Sequence, residues 1–189
     1  MKDIVAKNRS YRRFYEEQSI SMETLRGLVE LARLTPSAAN LQPLRYALSC
    51  TPERNAQVFD SLAWAGYLED WDGPEPGERP AAYIVVLNDR ETAKHPGCDH
   101  GIAAQTILLG ATAQGLGGCM FGSIRRDALR EALELPERYE ILLVIALGKP
   151  KEQVVIEPVG TDGSIKYWRD AEAVHHVPKR ALGDIIVNS

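Results

Sequence analysis

Residues 81–88 read AAYIVVLN, an uncharged run of apolar and β-branched side chains closed by one asparagine. Side chains of a strand alternate between its faces, so a run that is apolar at both alternations has to be covered on both sides. That excludes a sheet open to water and demands two flanking layers. YEILLVIALG, residues 139–148, is apolar from Ile141 to Leu147 after its single charge, Glu140, and predicts a second buried strand.

The layers are also visible. In residues 21–34, Leu25, Leu28, Val29 and Ala32 fall at i, i+3, i+4 and i+7, one apolar face of a helix with Ser21 as N-cap and Pro36 beyond its end. PERNAQVFDSLAWAG, residues 52–66, predicts a helix with proline in its first turn, and RYALS before it a short strand. Residues 99–117 predict a central buried helix ended by glycines, followed by the strand GCMFG and a surface helix over 123–135 capped by Ser123. Residues 70–80, dense in Gly, Pro and acid, predict an exposed loop. Strands alternating with helices predict an α/β or α+β sandwich of a sheet between helices, and 189 residues suit one domain spanning 1–189.

Residues 151–189 carry strand-like pieces and turn signals but too little periodic apolar content for a core of their own. Such a tail needs a surface to lie on, and a second subunit offers one. The net charge of −4 argues against nucleic acid or an anionic membrane as partner, so any affinity for phosphate is local. Cys50, Cys98 and Cys119 are odd in number and widely spaced, and MKDIVAKNRS lacks the apolar core of a secretory signal, which predicts free thiols and a cytoplasmic setting. No charge occurs from Gly101 to Ile124, but glutamines, threonines and glycines there favour a buried helix running into a strand over a membrane span.

Three segments carry polar chemistry. Arg9, Arg12 and Arg13 crowd together beside Ser10 in an otherwise acidic chain. Such a cluster is either a solvated face balanced by Glu16 and Glu17 or, with the serine hydroxyl, a phosphate cradle. In PSAANLQP, Ser37, Asn40 and Gln42 set a hydroxyl and two amides in a loop fenced by Pro36 and Pro43, suited either to the edge of a heterocycle or to a ligand-free Asx turn. GLGGCMFG, residues 115–122, allows close approach of backbone N–H groups to a flat ligand but is not a dinucleotide fingerprint.

Taken in order, these segments resemble the nitroreductase family of FMN-dependent flavoproteins. Arg9, Ser10 and Arg12 are similar to its R-S-x-R element, and PSAANLQPLRY to its P-S-x-x-N-x-Q-P-W stretch. DHGIAAQTILLGATAQGLGGCMFG resembles its central helix and following strand, ALGKP its L-G-x-P, and PKRALGDII its basic C-terminal segment. The resemblance implies an α+β, nitroreductase-like three-layer sandwich with a mixed sheet flanked by helices. It also implies a homodimer whose C-terminal extension, 151–189, is exchanged between subunits, with FMN at the interface. NADH or NADPH would be the electron donor, and nitroaromatic or quinone-like acceptors would be reduced by a ping-pong scheme.

Carried over by position, Arg9, Ser10 and Arg12 would hold the FMN phosphate together with Lys179 or Arg180, from the same chain or its partner. Pro36, Ser37, Asn40 and Gln42 would lie along the ribityl chain and ring edge, and the backbone of Gly117 and Gly118 near the flavin N5. No side chain need act as acid or base. Leu44 and Thr106 stand where the family has tryptophan and asparagine, and Arg13 has no family role. Trp64, Tyr67 and Trp71 are candidates for a substrate lid, against the alternative that a tryptophan at helical spacing is core.

Two other chemistries have candidate residues. His95, Cys98, Asp99 and His100 cluster without the spacing of a zinc site, and His175 and His176 would face opposite sides of a strand, so no metal is expected. Cys119, in an apolar strand, reads as an inert thiol in preference to a nucleophile. From another functional class, the chain could bind FMN without turnover, as a sensor, or serve a specialised dehydrogenation.

Overall fold

The computed structural model describes residues 1–68 and 70–187. Its centre is β3 (Ala82–Asp89), buried at every position. Antiparallel neighbours flank it, β2 (Leu44–Ser49) on one edge and β5 (Tyr139–Pro150) on the other, with a register shift between Val86 and Leu87. Beyond β5, β4 (Gly117–Phe121) and the short β1 (Phe14–Tyr15) pair with successive stretches of the same strand, again antiparallel.

The alternation of β3 divides the protein into two cores. Ala82, Ile84 and Val86 pack with Leu25, Leu28 and Ala32 of α2 (Met22–Arg33) and with Ala103, Ala104 and Ile107 of α4 (Asp99–Ala113). Tyr83, Val85 and Leu87 face the opposite layer, with Val58 of α3 (Pro52–Phe59) and Leu129 of α5 (Arg126–Ala132). This is the three-layer α+β sandwich. The parallel pairing is confined to a small separate sheet of the tail, where β6 (Val154–Pro158) runs parallel to β8 (His175–Lys179) and β7 (Trp168–Arg169) antiparallel to it. The large sheet is antiparallel in every described strand pair, with one isolated parallel bridge, Ser10 to Gly118, on β4, so parallel strand pairing lies in the tail's sheet.

Several boundaries depart from the sequence reading for tertiary reasons. Ser21 does cap α2, its Oγ accepting from Thr24 N at 3.0 Å. α3, expected to reach residue 66, stops at Phe59 because the chain after it pairs with the segment following β4: Ala63 N donates to Ser123 O and Arg125 N to Ser61 O. That pairing occupies Ser123 and delays α5 to Arg126, with no side-chain cap. α4 ends at Ala113, short of residue 117, because Gly115 turns the chain at φ +72° so that Gly117 can join the sheet. A first helix, α1 (Lys2–Lys7), precedes β1, and a short α6 (Leu182–Ile185) follows β8; the sequence signals neither. No helix among the described residues is long and apolar enough to cross a membrane.

Ile84 is fully buried on the α2/α4 side of β3. Ile84→Ala should therefore cost about 2–5 kcal/mol of stability, seen as a lowered urea midpoint with an unchanged slope.

Candidate functional site

Residues 8–13 leave α1 and cross the edge of β4 before entering β1. Asn8 anchors this segment to α4, donating from Nδ2 to Thr112 Oγ1 at 3.1 Å and to Leu108 O, while Gln105 Nε2 donates to its Oδ1. Tyr11 N donates to Gly118 O, and Ser10 bridges Gly118. The backbone of the next two residues is held by one carboxylate: Glu152 Oε1 accepts from Arg12 N and from Arg13 N. The other oxygen of Glu152 accepts from Arg169 Nη2 at 3.0 Å.

Glu152 is thereby committed, and the guanidinium of Arg12, although only 9% exposed, has no carboxylate partner among the described residues. Its neighbours are Ser10 O at 3.3 Å, His175 Nε2 at 3.2 Å and the face of Tyr167, 4.7 Å from Cζ to the ring centroid. Burial first, then the charges of Arg12 and Arg169, push the His175 pKa down to about 4, so its ring is neutral near pH 7. Nε2 can then accept from Arg12, and the proton rests on Nδ1, which is buried with no partner among the described residues. A buried cation without a counter-ion is costly, which makes this a place for an anion. Arg9, Ser10, Arg12, Gln105, His175 and Lys179 line one cavity of about 510 Å³.

The model of the nitroreductase family matches residues 5–149. The chain belongs to the nitroreductase family. A protein of Archaeoglobus fulgidus provisionally named an NADH dehydrogenase/NAD(P)H nitroreductase is 30% identical over 149 residues, 75% of this chain and 80% of its own. Two solved structures share the fold. A nitroreductase family protein of Streptococcus pneumoniae TIGR4 aligns with TM-score 0.70 and 18% identity over 100% of this chain and 99% of its own. An FMN-dependent nitroreductase of Clostridium difficile R20291 aligns with TM-score 0.66 and 23% identity over 81% and 89%.

Within this nitroreductase-family chain, the structure brings Arg9, Ser10, Arg12 and Lys179 onto one cavity but places the other expected ligands elsewhere. Asp99, in the first turn of α4, accepts from Ser37 Oγ at 2.6 Å and from Ala38 N at 3.0 Å, and Ser37 Oγ accepts from Gln42 N. The loop bends so tightly that Ala39, Asn40 and Gln42 all take positive φ. Non-glycine residues rarely sit there without tertiary support, here the buried Asp99. Pro36, Ser37 and Gln42 line a second cavity of about 420 Å³, and Asn40 is exposed. Asp99 precedes Gln105 by about 9 Å along the helix axis, so within one chain the loop and the arginine cavity are distinct.

Gly117 and Gly118 line neither cavity; they are buried in β4. A Cβ on Gly117 would strike the Tyr11 ring and Pro150, and one on Gly118 the carbonyl of Ala146 and Leu108. Arg180 is exposed and borders a different hollow with Pro158, Gly160 and Asp184. Trp64 is corrected from lid to core: it is 9% exposed, edge-on to Phe121 at 4.6 Å. Tyr67 is exposed and Trp71 half-buried, and both meet the tail, Tyr67 against Tyr167 and Trp71 under Arg169. Cys119 is buried, which raises its thiol pKa, and no group of three His, Cys, Asp or Glu side chains among the described residues could hold a metal.

Glu152 and Tyr167 are absent from the sequence reading, and His175 enters it only as a metal candidate. The excess of cations at 9–13 hints at an acidic partner such as Glu152 without naming it, and nothing in the sequence marks Tyr167. The histidine pair does divide between faces, His176 stacking on Trp168 at 4.0 Å between Glu157 and Asp170. Arg13 is also reassigned. It forks onto Glu78 (Nε–Oε2 2.5 Å, Nη2–Oε1 2.7 Å), with Lys151 on the same carboxylate, whereas Glu16 accepts from the backbone of Gly77 and Arg79.

Those hydrogen bonds to Arg13 and Lys151 hold the Glu78 pKa down at about 2, from 4.5. The ion pair therefore contributes stability above pH 4.5 that is lost as pH falls through about 2. Glu78→Gln should be less stable than wild type above pH 5, with the gap closing as pH drops below 4.5; urea unfolding between pH 3 and 7 measures it.

Proposed function

We propose that the chain is an FMN-dependent oxidoreductase that takes reducing equivalents from NADH or NADPH and passes them to small acceptors of the nitroaromatic or quinone class in a ping-pong scheme. The observation that carries the reading is Arg12, a buried cation with no carboxylate partner among the described residues, facing a cavity shared with Arg9, Ser10 and Lys179. These cations and a hydroxyl match a phosphate monoester dianion. The names of relatives support the rest, NAD(P)H for the Archaeoglobus protein and FMN for the Clostridium structure.

Bound FMN would supply hydride acceptance and donation at its ring. The chain's own residues bind and orient. Arg9, Arg12 and Lys179 neutralise the phosphate, Ser10 donates to it, and Glu152 fixes the backbone from which Arg12 projects. A homodimer would reconcile the two cavities, with the loop of Pro36, Ser37, Asn40 and Gln42 from one chain meeting the arginine cavity of the other. Leu182, Ile185, Ile186 and Val187 are all more than half exposed, an apolar end suited to lie on a second subunit.

Arg12→Met should leave the apoprotein at least as stable in urea as wild type, since it removes an unpaired buried charge, while weakening FMN binding by about 10–100-fold. Urea unfolding and equilibrium dialysis measure the two. A protein that purifies colourless and takes up no FMN would overturn the reading, and a yellow one unreactive to NADH and NADPH would favour binding without turnover.

A further inference from the structure

We propose that Tyr167 is a positioning residue that couples occupancy of the arginine cavity to the placement of Tyr67. The inference rests on the FMN reading above for the identity of the occupant, but its geometry is independent of it. Among the described residues, Tyr167 is the aromatic residue that both lines the cavity and touches the segment expected to act as a lid. On one side its ring lies 4.7 Å from the Arg12 guanidinium and 5.2 Å from the His175 ring. On the other it meets the Tyr67 ring at 4.9 Å, and its hydroxyl accepts from Tyr67 N at 3.4 Å. Tyr67 itself does not line the cavity and is 48% exposed.

A second rung runs beside the first. Arg169 is bound to Glu152, the carboxylate that holds the Arg12 backbone, and its guanidinium lies 4.3 Å from the Trp71 ring. Trp71 in turn is edge-on to the core residue Trp64. Both rungs begin at the arginine segment and end on Tyr67 or Trp71, and both pass through residues 167–169 of the tail.

The physical link is restriction of motion. With the cavity open, Arg12 is held by one neutral ring nitrogen, one carbonyl and the Tyr167 face, all weak partners for a guanidinium. A dianion hydrogen-bonded to Arg12 fixes that side chain, and a ligand filling the cavity fixes the Tyr167 ring that lines it. The Tyr67 amide, bonded to the Tyr167 hydroxyl, then opens less often. Cofactor loading would thus pre-position Tyr67, an exposed aromatic residue of the expected lid, without that residue touching the cofactor.

The test follows hydrogen exchange of amides 62–68 in the full-length protein with and without FMN, with FMN affinity measured separately by equilibrium dialysis. Wild type should exchange this stretch about fivefold or more slowly when loaded. Tyr167→Ala should still bind FMN but show the same exchange rate loaded and unloaded, and Tyr167→Phe, which keeps the ring, should restore part of the slowing. Slowing that persists in Tyr167→Ala, or is absent from wild type that binds FMN, overturns the coupling. Wild type that binds no FMN overturns instead the reading of the occupant. Should Tyr167→Ala fail to fold, Tyr67→Ala, exposed and outside the cavity, serves in its place: FMN affinity should stay within about threefold of wild type and the slowing at 62–68 should shrink, because the ring contact is lost while the backbone bond to the Tyr167 hydroxyl is kept. Unchanged slowing in that variant overturns the coupling equally.

Discussion

β3 is the constraint from which the rest of the architecture follows. Because all of its positions are buried, its two faces must each find a helix layer, and the alternation of its side chains assigns α2 and α4 to one and α3 and α5 to the other. Its neighbour β5 then becomes the long strand against which β4 and β1 both pair. The end of β5 at Pro150 leads directly into Lys151 and Glu152, so the strand that completes the sheet also delivers the carboxylate that holds the arginine segment. Scaffold and site are built from one continuous stretch of chain.

The electrostatics of the site come from an uneven distribution of few anions among many cations. Adjacent residues fare differently: Arg13 finds Glu78 on the outer side, while Arg12 points inward to a neutral histidine and an aromatic face. Glu152 could have paired with the Arg12 guanidinium, but backbone N–H groups and Arg169 use both of its oxygens. With three donors already on its oxygens and none of them the Arg12 guanidinium, Glu152 leaves Arg12 with an uncompensated charge. The folded tail thus leaves an excess of positive charge facing the cavity.

Much of the fold was legible because periodicity is local. Residues 81–88 and 139–148 announce buried strands, the Leu25–Leu28–Ala32 stripe announces α2, and Ser21 caps it as its residue type suggests. The failures cluster where two distant segments meet. α3 loses its last turns, and Ser123 its capping role, because residues 61–63 and 123–125 bond to each other. Trp64 goes to the core through the same junction, although its spacing fits either fate.

By itself the sequence determined the helix and strand types, the two-sided burial of β3 and the presence of cations and a hydroxyl suited to phosphate at residues 9–12. Only the tertiary structure decided that Arg12 is buried without a carboxylate partner among the described residues, that Glu152, Tyr167 and His175 belong beside it, and that the loop of Ser37 and Gln42 lies apart from it within one chain. Residue chemistry and spacing are properties of a short stretch of chain and can be read there. Charge compensation and burial depend on which residues, separated by more than a hundred positions, come to share one small volume, and that is set by the sheet and the path of the tail.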